Sequence, residues 1–237
     1  MTTLYVSHLN DASHRETYES SHSVILAVFA SHARAQTDST TVKGKGVSRP
    51  TFVEKIVPFY VQCLLEVRLV TQHAYIMGTE KALRAQNSVD GKLTTSQLRL
   101  AFSALTSSAS ASTPAMGKFC LSSLLSILSS LSTKDDAQRR HRLRLVLAST
   151  LSALPLEVLP DALAAVENEI RDSKNEEQIE LAREVFKEIA ENVGDREKEH
   201  CLCWWEEQRE ALEGSWEAKT GSSSGKGREG ALTSARL

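Results

Sequence analysis

Helix-start signals recur along this chain, and nothing in it alternates with the period of a strand. Ser13 with Glu16, Thr51 with Glu54, Thr94 with Gln97, and Asn175 with Gln178 each match the capping box. In that motif a side-chain oxygen accepts from the third helical N–H while the later Glu or Gln reaches back to the cap. Thr113–Pro114 marks another start, because proline's missing N–H has no partner to lose at the first helical position. These signals predict helices near 14–36, 50–75, 94–106, 114–131, 136–153, 156–171, 176–192 and 196–213.

The apolar stripes agree with that division. Ile179, Phe186, Ile189 and Val193 share one helical face, which assigns Glu180, Arg183, Glu184, Lys187, Glu188 and Glu191 to solvent. Leu143, Val146, Leu147, Thr150, Leu151 and Leu154 form a second stripe, and Leu202, Trp205, Arg209, Leu212 and Trp216 a third. An aromatic content of 5% is low for a β-sandwich and sufficient for stacked helices. The fold class read here is all-α, an irregular stack of antiparallel helical hairpins of HEAT or armadillo type. No clean residue-level repeat accompanies it, and a plain globular bundle is the alternative.

Residues 37–49 and Ser107–Thr113 read as mobile loops, and from Gly214 onward the chain is rich in Gly, Ser and Lys. The expected organisation is therefore a helical-repeat domain over 1–213 and a disordered C-terminal tail over 214–237. No stretch reaches the roughly 18 apolar residues of a membrane span, and the longest apolar run, Val24 to Ala30, follows polar residues rather than a basic leader. Four cysteines in 237 residues do not make a disulfide scaffold, so free thiols in a reducing compartment are expected. With 28 basic and 30 acidic residues the net charge is −2, which argues against general nucleic-acid binding.

The sharpest functional signal is the final tripeptide, Ala235-Arg236-Leu237. It fits the small–basic–leucine pattern whose type is Ser-Lys-Leu, a receptor-read peroxisomal address. A small residue fills a tight pocket, a cation meets acidic groups, and a buried leucine adjoins the clamped carboxylate. Arg139, Arg140, Arg142 and Arg144, with His141, form the one basic cluster. Its bland reading is a solvated helix start, and its functional reading is contact with an acidic partner or an anionic membrane surface. Cys201 and Cys203, beside His200, point about 200° apart on a helix and do not make a zinc site, which needs four convergent ligands. Neither an His-Glu-x-x-His pair, a nucleophile elbow, a phosphate loop nor a dinucleotide fingerprint occurs, so no catalytic residue, metal or cofactor is assigned and the chain is read as a non-enzyme.

Several segments resemble the C-terminal portion of the fungal peroxin-eight family. They are Ser21-His22-Ser23-Val24-Ile25-Leu26-Ala27-Val28-Phe29, Val57-Pro58-Phe59-Tyr60-Val61, Leu93 through Phe102, and Leu151-Ser152-Ala153-Leu154-Pro155 through Leu163. The similarity spans roughly residues 14–170, and that family also carries an import-type terminus. The resemblance implies a peroxisomal matrix-protein import factor, peripheral on the lumenal face of the membrane. Its implied partners are the import receptor for C-terminal peroxisomal signals and the docking and RING peroxin complexes, which it would link while aiding cargo release. Family members extend further at the N-terminus, so the first helix is expected to expose apolar surface around Val24, Leu26 and Phe29. Two other readings stay open: a soluble peroxisomal matrix protein of unknown activity, and a cytosolic helical-repeat adaptor.

Overall fold

The computed structural model describes residues 9, 14–38, 51–65, 93–131 and 136–221. Among them lie eight α-helices and no strand: α1 (Arg15–Asp38), α2 (Phe52–Leu65), α3 (Thr95–Ser112), α4 (Pro114–Ser130), α5 (Ala137–Thr150), α6 (Leu159–Arg171), α7 (Asn175–Glu191) and α8 (Asp195–Gly221). A 3-10 turn, Leu151–Ala153, follows α5. The chain is all-α, as its periodicity predicts. The helix expected over 50–75 is described as far as Leu65, and Ser13, residues 39–50 and 222–237 lie outside the described residues.

Two of the capping boxes form as the sequence requires. At Thr94 the hydroxyl accepts from Gln97 N–H at 3.2 Å and the Gln97 amide accepts from Thr94 N–H at 2.9 Å. Thr51 and Glu54 make the same reciprocal pair before α2. Thr113 ends α3 and caps α4 at once, its hydroxyl accepting from Met116 N–H with Pro114 at the first helical position. At α7 Lys174 is the cap residue, Asn175 begins the helix, and Gln178 is buried.

Each helix packs on its successor, and α1, α3, α5 and α7 also follow one another in a row. α2 with α4, and α6 with α8, form the second layer, and Lys118 of α4 reaches Asp161 of α6 at 2.8 Å. The result is an irregular helical stack with one contiguous core. Its centre is α5. Every residue from Leu143 to Thr150 is buried, because α3, α4, α6 and α7 all pack on that helix. Arg99 of α3 and Glu184 of α7 meet at 2.7 Å, so the row bends until its second and fourth helices close over the third. Polar residues survive in this helix by bonding backward: Ser149 donates to the Val146 carbonyl and Thr150 to that of Leu147.

Four expectations are corrected. Ser107–Thr113 is not a loop: α3 runs to Ser112, with Ser108 and Ala109 buried. Small side chains there let α4 approach closely. A Cβ on Gly117 would sit 2.4 Å from Ser110 Oγ, so packing outweighs the weak helix propensity of the Ser/Ala run. On α7 the buried arc is Gln178, Leu181, Ala182, Val185, Glu188 and Ile189, whereas Ile179 and Phe186 are 39% and 43% exposed. Glu188 enters the core because Ser152 Oγ, at 2.5 Å, and Asn192 Nδ2, at 2.9 Å, both donate to it. At the first helix Val24 is exposed as expected, but Leu26 is partly buried against the core and Phe29 is wholly buried against the rings of Phe52 and Tyr60. Further along, α8 continues through Gly214 to Gly221, past the boundary drawn for the tail.

Candidate functional site

The basic cluster of α5 is turned inward. Arg144, 5% exposed, donates through Nε to Glu169 of α6 at 2.8 Å and through Nη1 to Glu177 of α7 at 3.4 Å. Arg140, one turn earlier, lies 3.5 Å from the same Glu169 and 3.8 Å from Asp172. His141 Nε2 faces Glu180 at 3.2 Å. The other two arginines serve backbone ends: Arg139 donates to the Leu65 carbonyl at 2.9 Å, and Arg142 to that of Leu93 at 2.6 Å. Leu65 is the last described residue of α2.

Neither sequence reading of Arg139, Arg140, Arg142 and Arg144 describes this arrangement. The four guanidinia are occupied within the chain, joining α5 to α2, α6, α7 and the segment before α3. The cluster is thus a charged seam between helices. Its acidic side, Glu169 on α6, Asp172 at that helix's C-cap, and Glu177 and Glu180 on α7, escaped the sequence reading. The spacing of three that aligns those carboxylates was legible. Their direction toward α5 was not. Chemically the seam combines ion pairs at Arg140 and Arg144 with carbonyl bonds at Arg139 and Arg142, an arrangement suited to holding helices in register.

Comparisons with protein-family models, with curated proteins and with solved structures find no match for this chain. Ala235, Arg236 and Leu237 lie outside the described residues. Among the described residues no helix is long and apolar enough to cross a membrane, and no group of three or more His, Cys, Asp or Glu side chains converges as a metal site. Cys201 is buried and Cys203 exposed, on the opposite helix faces that their spacing dictates. Burial pushes the Cys201 thiol up to about 11 and that of Cys120 up to about 12.

A second cluster joins α1 to α2. His22 is 3% exposed, and its Nδ1 lies 2.9 Å from the Tyr60 hydroxyl. Tyr18 meets the imidazole edge-on with ring centroids 4.5 Å apart, and Tyr60 tilts across it at 5.6 Å. Nε2 points into the interior without a well-formed hydrogen bond. Burial holds the ring's pKa down at about 4, partly offset by the Leu9 backbone, so the imidazole is neutral. Burial likewise raises the Tyr60 and Tyr18 hydroxyls, with Cys63 adding to both. His22 was only one of seven scattered histidines in the sequence. Its position one turn after Tyr18 was the legible sign of a shared face.

Proposed function

We propose that this protein is a non-catalytic helical scaffold of peroxisomal matrix-protein import, peripheral to the lumenal face of the membrane. The observation that carries this reading is where the family-like segments fall in the stack. Phe29 on α1, Val57, Tyr60 and Val61 on α2, Leu98, Ala101 and Phe102 on α3, and Leu151, Leu154 and Leu163 around the turn into α6 are all buried. These buried positions of the resembling segments contribute to successive layers of the core, which supports the reading. A stack of this kind offers several helix faces to several partners, as the link between docking and RING complexes requires. Ala235-Arg236-Leu237 supplies the address for the import receptor when presented as a free carboxyl end.

The test is imaging of the N-terminally tagged chain beside a peroxisomal marker in fungal cells, intact and lacking Leu237, together with a matrix-protein import assay after its removal. Punctate overlap that vanishes with the deletion, and cytosolic matrix proteins after loss of the chain, are the expected results. Normal import without the chain would overturn the scaffold reading. Equal receptor binding by tail peptides with and without Leu237 would overturn the address.

A further inference from the structure

His22 sits where a proton would be costly, on the helix that begins the row. The row formed by α1, α3, α5 and α7 begins with α1, which packs on α3 and α2 while α5 is enclosed on all sides. At the joint with α2, the imidazole is closed between Tyr18 and Tyr60 and hydrogen-bonded to the Tyr60 hydroxyl. We propose that the His22–Tyr60 joint is an acid-sensitive latch, through which protonation of His22 releases α1 from the stack while the core around α5 stays folded.

The surroundings of the ring give the latch its sign. From α1 the facing group is Tyr18, and from α2 they are Tyr60 and Cys63, none of which carries a negative charge at neutral pH or below. From α5, Arg142 acts on Tyr18, and its charge has the same sign as an imidazolium. Glu19, next to Tyr18, is spent on Arg15 at 2.8 Å in the solvent. From α3, Gln97 reaches Glu19 and brings no charge of its own. Hydrogen bonding alone would not exclude the proton, since Tyr60 could accept from a protonated Nδ1 and donate to the His22 carbonyl, 3.4 Å away. The cost is a buried charge that meets no counter-charge among the described residues.

A released α1 binds the proton with an ordinary histidine pKa, whereas the docked ring resists it down to about 4. Docking is thus fully favourable above pH 6.5, weakens as the pH falls through 6.5, and stops weakening near about 4. One proton gives at most tenfold per pH unit, which over that window is a total of about 300-fold in the docking equilibrium.

Hydrogen exchange on the full chain between pH 7 and 4.5, normalised to intrinsic rates, reads this directly. The expected result is that α1 amides lose protection by about tenfold per unit below pH 6, with α5 unchanged. His22→Gln, which keeps a side-chain acceptor and donor but does not titrate, should remove the dependence. The latch is overturned if α1 protection is flat in the wild-type chain, if α1 and α5 lose protection together, or if the Gln variant keeps the slope. Should that variant fail to fold, the wild-type His22 ring followed by NMR decides. A ring that stays neutral until α1 opens upholds the latch, and one that titrates near 6.5 with α1 still protected refutes it.

Discussion

Replacing Arg144 by Met tests whether the seam holds the helices or only decorates them. The thioether fills most of the aliphatic stem's space, so the loss is chiefly charge and hydrogen bonding. Glu169, mostly buried, loses its partner at 2.8 Å and keeps Arg140 at 3.5 Å. Glu177, 37% exposed, loses a contact at 3.4 Å and turns to water at small cost. Stranding one member of a buried pair costs about 3–5 kcal/mol, and the retained Arg140 brings the expectation down to about 2–3 kcal/mol. For a chain of this size that is a fall of roughly 5–10 °C in Tm. Urea denaturation at pH 7 should show a lower midpoint with an unchanged slope. The second arm is Arg144→Met with Glu169→Gln, which removes the stranded charge while leaving Arg140 an amide oxygen to donate to, and should recover to within about 1 kcal/mol of wild type. A solvated helix face would lose less than about 0.5 kcal/mol in the single variant. That result, or a double variant weaker than the single, refutes the seam.

Two further expectations come from the packing. Gly117→Ala should destabilise by about 1 kcal/mol, the overpacking against Ser110 outweighing alanine's helix preference. Ser110→Ala, which deletes a buried hydroxyl without a partner, should be close to neutral and should rescue Gly117→Ala in the same thermal melt. A Gly117→Ala protein more stable than wild type would show that the crossing is not tight. With a chromogenic disulfide in native buffer, Cys203 alone should react quickly, and Cys63, Cys120 and Cys201 only in denaturant. A second fast thiol would mean that the enclosing helices open readily.

The sequence shows its helices well because their start signals are local. Thr94–Gln97, Thr51–Glu54 and Thr113–Pro114 act within one turn of chain, and each does in the structure what its chemistry dictates. Misreadings begin where a distant neighbour decides. Ser107–Ser112 reads as a break until Gly117 of the next helix is seen to need small residues opposite it. Glu188 reads as a surface residue until Ser152 and Asn192 are brought to it. The arginines of α5 read as a solvated start because their carboxylates come 25 to 33 residues later, on two other helices. His22 gave no sign of its burial, since Tyr60 is 38 residues away.

The enclosure of α5 sets this protein apart from arrays that grow one unit at a time. In an open repeat stack each unit needs only its neighbours, so folding can follow synthesis and shortened chains keep most of their order. Here the middle helix carries Arg144 on a face that α6 and α7 cover, so a nascent chain ending at Thr150 leaves that face in water, with neither its ion pairs nor that side of the core formed. The N-terminal hairpins therefore wait on the C-terminal ones. Shortened chains that stop before α7 should be recognised by the cell as unfinished, however many complete helices they contain.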